Sequence, residues 1–260
     1  MKQQSSDTIN AILPPPDTRQ VMVAISHLQK SFGTKQVLSD LNMQLHKGEN
    51  LVVLGKSGQG KSVAIKCMVG LLTQDSGSLR VFDKEVKDLS EEGLRELRIK
   101  TGFLFQNGAL YDSMTVGQNL EFPLTRVLKL KDRDEIRHRI QEVLDGVSLP
   151  DAMDKMPSDL SGGMRKRIGL ARTLILNPEI MLYNEPTTGL DPITSREISE
   201  LMLQMQQKYQ MSSVIITHDM ACAKITADRV VVMNDGEFIA EGSYEDLERS
   251  DDKLVRSFFI

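Results

Sequence analysis

One stretch constrains this chain more than any other: Gly55-Lys56-Ser57-Gly58-Gln59-Gly60-Lys61-Ser62. It follows the apolar run Leu51-Val52-Val53-Leu54, which reads as a buried strand. It opens the segment Lys61–Leu72, whose Val63, Ile65, Met68 and Val69 give it helical character. Strand, glycine-rich turn and helix in that order curl successive backbone N–H groups toward one point at the positive end of a helix, where an anion is stabilised. The spacing G-x-x-x-x-G-K-[ST] adds Lys61, which can reach the β and γ phosphates of a triphosphate, and Ser62, whose hydroxyl can face Mg²⁺. A glycine-rich turn with a solvated lysine would account for the glycines alone. It would not account for all eight positions and both flanks.

A buried strand feeding such a turn is expected in a mainly parallel sheet, and the rest of the chain fits that expectation. TGFLFQ (101–106), EIMLY (179–183) and MSSVIITH (211–218) are further apolar runs, alternating with helical segments that include a charged helix near Glu91–Lys100. Val21–Phe32 and the run after Lys35 alternate as an antiparallel β layer. Residues 107–160 lack strand signals, and Asp132–Val147 sets Ile136, Ile140, Val143 and Leu144 on one face, so an inserted helical subdomain is expected at about 107–176. A hairpin is expected to turn at Asn234-Asp235-Gly236, followed by a mostly polar amphipathic helix over Tyr244–Ile260. The fold class is thus α/β, with one domain over residues 21–245. Residues 1–20, with Pro14, Pro15 and Pro16, are expected to be a flexible leader, and 246–260 a tail.

Composition narrows the function classes. Of 260 residues 40% are hydrophobic, enough for a real core, and 32 Lys+Arg against 36 Asp+Glu give a net charge of −4, which argues against nucleic-acid binding as the main role. Cys67 and Cys222 are too few for a disulfide framework and read as small core residues in a reducing compartment. No apolar stretch reaches the ~18 residues of a membrane span. The expectation is a cytosolic chain able to dock on a membrane protein.

Other residues supply chemistry. The strand 179–183 ends in Asn184-Glu185, and Glu185 is placed to act as the general base toward an attacking water. Leu160-Ser161-Gly162-Gly163-Met164 precedes a helix with Met164, Ile168, Ala171 and Ile175 on one face and Arg165, Lys166, Arg167 and Arg172 largely off it. Ser161 is well placed as its cap. Gln106 ends one strand and His218 another, each unremarkable alone.

Taken in order, GKSGQGKS, Gln106, LSGGM, Asn184-Glu185, Gly189-Leu190-Asp191 and Thr217-His218-Asp219 resemble the nucleotide-binding subunit of an ABC transporter across roughly residues 21–245. The resemblance implies a P-loop NTPase core that binds ATP and Mg²⁺. It implies Phe32 stacked on adenine, and Ser62, Gln106 and Asn184 around the metal. It implies Glu185, Lys61 and His218 in catalysis, with Ser161, Gly162, Gly163 and Asp191 contacting the ATP of a second copy. Partners are then that second copy and integral-membrane permease subunits, engaged through a groove near Gln106–Leu124, at the cytoplasmic face of the inner membrane.

A closer resemblance lies in Asn107–Val116, Asp191–Ser195 and Leu254–Phe259. These are similar to the ATPase of Mla-type phospholipid transporters, which implies a lipid cargo and an MCE-domain partner. The terminal Phe258-Phe259-Ile260 reads either as docking on the partner subunit or as a frayed end. One departure is Asn184, where the family has Asp: an amide keeps an acceptor oxygen but loses a unit charge beside a divalent ion, which implies slowed hydrolysis. The alternative is the ATPase of an importer for amino acids or other small solutes, or a non-transport relative. A chromosome-type ATPase needs a coiled coil that cannot fit between Ser62 and Ser161, and a translation-type one normally carries two cassettes.

Overall fold

The computed structural model describes residues 19–106 and 108–259. Six strands form the central sheet in the order β10-β9-β3-β8-β7-β6. These are β3 Asn50–Leu54, β6 Thr101–Leu104, β7 Ile180–Asn184, β8 Ser212–Ile216, β9 Arg229–Asn234 and β10 Glu237–Gly242. All neighbours pair in parallel except β9 with β10, the expected hairpin. A second, antiparallel sheet runs β2-β1-β4-β5, from β1 Val21–Phe32, β2 Lys35–His46, β4 Ser76–Val81 and β5 Lys84–Glu85. The α/β class with a mainly parallel sheet and an N-terminal antiparallel layer is what the molecule has.

Alternation along each central strand divides the core in two. Leu51, Val53, Leu182, Val214, Ile216 and Val231 face the antiparallel layer and helix α1 (Lys61–Met68). Val52, Leu54, Met181, Tyr183, Ile215 and Val230 face the other way. That second core also takes in α3 Val116–Arg126, α4 Arg133–Gly146, α5 Gly162–Leu174, α6 Pro192–Tyr209 and α7 Met220–Thr226. Helix α2 (Glu91–Lys100) begins under the Ser90 cap. The apolar face read from Asp132–Val147 is the buried face of α4, and Asp132 is its N-cap.

Three expectations need revision. Helix α1 stops at Met68, and residues 69–72 form a turn in which Leu71 N and Leu72 N both reach back to Lys66 O. The segment after Tyr244 is not one helix: α8 (Tyr244–Glu248) ends before Ser250, and Asp252 caps a separate α9 (Lys253–Arg256). Phe258 and Phe259 pack on the chain's own core, with the Phe259 ring edge-on to Tyr244 at 5.2 Å, so this end is not frayed. Ile260 and most of the leader lie outside the described residues. Cys67 and Cys222 are buried free thiols, burial pushing each up to about 11. Among the described residues no helix is long and apolar enough to cross a membrane.

Candidate functional site

Strand register brings the separate motifs together. Val53 of β3 pairs with Ile216 of β8, and Ile216 pairs with Asn184 of β7. The glycine-rich turn, His218 and Glu185 therefore leave three adjacent strands at one carboxyl edge, where open parallel sheets place their ligand sites. Leu104 of β6 pairs with Tyr183, which brings Gln106 to the same edge. Together they line a cavity of about 570 Å³.

At its floor Gly60 caps α1 with φ 102°, a conformation that suits glycine, and a Cβ there would meet Val37 O and Leu38 Cδ2 at 2.8 Å. The α1 N-terminus has no side-chain cap, so its N–H groups face the cavity without a competing acceptor from that residue. Lys61 is buried, and its Nζ donates to Gly55 O at 2.5 Å and Lys56 O at 2.9 Å. Burial pulls its pKa below the usual lysine range, and the negative Glu185 opposes that fall. A phosphate would exchange carbonyl partners for charged ones.

Ser62 Oγ donates to Asn184 Oδ1 at 3.0 Å. Glu185 takes the left-handed backbone at φ 54°, an outlier for a non-glycine residue and common where function holds a side chain in place. Its Oε2 lies 2.7 Å from His218 Nδ1, and Thr188 Oγ1 reaches the same oxygen at 3.4 Å. Base candidate and histidine are thus paired within the cavity.

Lys56, Ser57, Gly58, Gln59, Gly60, Lys61, Ser62, Gln106, Asn184, Glu185 and His218 all line this cavity. Gly55 contributes only its carbonyl, behind Lys61. Phe32 does not line it. That ring is half exposed at the end of β1, with Lys30 Nζ 5.5 Å from its centroid. Ser161, Gly162, Gly163 and Asp191 also lie outside the cavity and share another surface. Leu190 Cδ2 packs at 3.4 Å from where a Gly162 Cβ would stand, and Thr194 Cγ2 lies closer still, 2.6 Å from where a Gly163 Cβ would stand. Ser161 caps α5 through Met164 N, and Asp191 caps α6 through Ile193 N and Thr194 N.

Sequence reading missed four features. Val37, Val63 and Thr188 line the cavity, the first because a long hairpin returns β2 over the turn. Gln59 Oε1 accepts from Asp235 N at 2.5 Å, so the β9–β10 turn braces the glycine-rich loop from 176 residues away. Lys166, expected to lie off the apolar face, is buried. A second, apolar hollow of about 220 Å³ lies between α2, β6 and α5, lined in part by Leu71, Ile99, Phe103 and Phe105.

The oxygen donors Ser62 Oγ, Asn184 Oδ1 and Gln106 suit a hard divalent cation such as Mg²⁺. Among the described residues no cluster of three or more His, Cys, Asp or Glu could hold a metal unaided. The set therefore fits a cation that arrives with phosphate oxygens and water.

Known proteins resemble this chain in sequence and in fold. A family model described as ABC transporter matches residues 38–188. The chain is 37% identical over 238 residues to the probable ribonucleotide transport ATP-binding protein mkl of Mycobacterium leprae, covering 92% of this chain and 68% of that protein. It is 37% identical to the glutamine transport ATP-binding protein GlnQ of Geobacillus stearothermophilus, covering 86% of this chain and 92% of the relative. Among solved structures, the dimeric post-hydrolysis state of the ATP-binding cassette MJ0796 bound to ADP and Pi superposes with a TM-score of 0.78. That match has 29% identity and covers 86% of this chain and 99% of that one.

Proposed function

The chain belongs to the ABC transporter family of ATP-binding proteins, and from that premise we propose that it is the ATP-hydrolysing subunit of a transporter moving phospholipid between bacterial membranes. The observation that carries the ATPase reading is the convergence of residues 56–62, Gln106, Asn184-Glu185 and His218 on one cavity.

In this reading the loop N–H groups and Lys61 hold the phosphates, and Val37 covers the opposite wall. Glu185 takes the proton of the attacking water, and His218 stabilises charge on the transferring phosphoryl. Ser62, Asn184 and Gln106 would hold Mg²⁺, which when bound neutralises charge developing on the phosphate oxygens. Phe32 is kept as the adenine-stacking residue, its exposed ring lying outside the cavity's own lining. The surface of Ser161–Gly163 and Asp191 would close over the ATP of a second copy, so that two chains share two nucleotides. That this surface lies outside the chain's own cavity supports that division.

The permease would seat in the apolar hollow at Leu71, Ile99, Phe103 and Phe105. Phe105 directly precedes Gln106, so pressure in that hollow is one residue from the cavity. Among the described residues the hollow's lining includes none from 106–124, so this seat would adjoin the groove expected there rather than coincide with it. The chain would then sit peripherally at the cytoplasmic face of the inner membrane.

The lipid cargo rests on the three stretches 107–116, 191–195 and 254–259, and carries with it an MCE-domain partner. An importer for small solutes is the second reading, favoured by relatives named for ribonucleotide and glutamine transport. Extraction of the intact membrane complex followed by mass spectrometry of bound lipid separates the two: phospholipid at a fixed ratio supports the first, and its absence beside a soluble solute-binding partner supports the second. For the ATPase reading, Glu185→Gln is expected to retain ATP while turnover falls by about 10²–10⁴. Turnover at the parental rate would remove Glu185 from its role.

A further inference from the structure

Helix α5 grips the loop after β6 along one face. Lys166, Gly169 and Arg172 recur every third residue and so lie on neighbouring turns of one side of the helix. Lys166 Nζ donates to Gln106 O. One turn on, Gly169 comes so near the loop that a Cβ there would lie 2.9 Å from Gly108 Cα and 3.0 Å from Gly108 O. A further turn on, Arg172 NH1 donates to Ala109 O at 2.6 Å, its guanidinium 4.7 Å from the Tyr111 ring centroid. These contacts leave the loop little freedom to move apart from the helix.

Lys166 does something the other two do not. Its ammonium also reaches Glu185 O, at 3.5 Å, the long end of hydrogen-bonding range. Among the described residues both its hydrogen-bond partners are main-chain carbonyls of cavity-lining residues, one after β6 and one after the neighbouring β7. The residue is buried, and burial draws its pKa below the ordinary lysine range against the pull of Glu185. Burying an ammonium is costly unless its donors are used, so these carbonyls are what hold it there.

We propose that Lys166 is a positioning residue for ATP hydrolysis: its ammonium ties the backbone of Gln106 to that of Glu185, so the alignment of the base follows the placement of α5. The proposal rests on Glu185 being the base; the tether itself does not.

The test compares Lys166→Met, which keeps the stem and removes the donors, with Lys166→Arg, which keeps charge and donors. Hydrogen exchange is measured across residues 105–109 in nucleotide-free protein, where Gly108 N donates to Phe105 O at 2.9 Å. ATP affinity and kcat are measured on the same samples. For Lys166→Met, exchange is expected to quicken about tenfold and kcat to fall about tenfold or more, the scale of a lost charge-assisted hydrogen bond, with ATP affinity within about threefold. Lys166→Arg should restore both.

Unchanged exchange in Lys166→Met overturns the tether, and an equal loss in both variants overturns it in favour of simple packing. Quickened exchange with unchanged kcat overturns the positioning role even where Glu185→Gln abolishes turnover. Should Lys166→Met not fold, Lys166→Gln, shorter and uncharged, is read by the same measurements.

Discussion

Glu49 offers the clearest energetic test of how the cavity's scaffold is held. It is 1% exposed, between β2 and β3, and its carboxylate takes Arg229 Nε at 2.6 Å, Arg229 NH2 at 3.0 Å and His46 N at 2.8 Å. Arg229, at the start of β9, also binds Glu241 at 2.5 Å and Gln44 O at 2.6 Å. Breaking a buried pair by removing one partner costs about 3–5 kcal/mol, because the survivor is left buried and uncompensated. Here the guanidinium of Glu49→Ala keeps Glu241 and Gln44 O, which favours the low end, while the lost hydrogen bond from His46 N adds about 1 kcal/mol. The expected loss is therefore about 3–4 kcal/mol, or a fall of roughly 6–16 °C in melting temperature for a chain of this size.

Acid pH supplies the sign. Burial raises the Glu49 pKa, but the Arg229 and His46 hydrogen bonds and charges outweigh it and hold the group below the ordinary carboxylate value. Its stabilisation is therefore complete above the unfolded-state pKa of about 4.3 and is lost as pH falls through the lower folded value. Calorimetry should show a constant gap between parent and Glu49→Ala from about pH 8 to about pH 6, narrowing below about pH 4. A melting shift under about 2 °C, or a gap that persists at full size in strong acid, would refute the account of Glu49 as a paired buried charge.

Three further expectations concern the cavity and the surface that would close over a second copy's nucleotide. Lys61→Ala should weaken binding of a fluorescent ATP analogue about 10–100-fold, the scale for losing hydrogen bonds to a charged donor; affinity unchanged would mean the ammonium stays on Gly55 O and Lys56 O. Asn184→Asp should raise kcat at saturating Mg²⁺ by at least about tenfold by restoring a unit charge beside the divalent ion, and equal rates would dispose of the slowed-hydrolysis proposal. Ser161→Ala should leave ATP binding by the dilute single chain intact while gel filtration shows loss of the ATP-driven dimer. Its local cost as a lost helix cap is only about 1 kcal/mol, too little to unfold the chain.

How much of this was legible beforehand depended on whether the information was local. The eight residues 55–62 announce their own conformation, since glycine spacing, an upstream strand and a downstream helix are all within a short window. Asp132 as a cap and the stripe Ile136, Ile140, Val143 and Leu144 are equally local. The single helix expected over Tyr244–Ile260 is too long because the polar run 249–252 resembles a solvated helix face, and only Asp252 turning to cap α9 reveals the break. The Gln59 to Asp235 brace joins residues 176 apart and leaves no trace in either segment.

Lys166 shows where such a reading fails in physical terms. A lysine off the apolar stripe of a helix ordinarily faces water, and its long stem makes that placement cheap. What reverses the expectation is a neighbour the helix itself does not encode: the loop after β6 lies across that side and buries it. One local signal was present. Gly169, three residues on, denies the same face a side chain, and a helix that places glycine one turn from a lysine has left room for a backbone to approach. Once a backbone is there, its carbonyls are the natural acceptors for the ammonium: Gln106 O comes from that loop, and Glu185 O follows the neighbouring strand β7. The residue that looked most like surface decoration is thus the one that joins α5 to the ends of two neighbouring strands at the cavity.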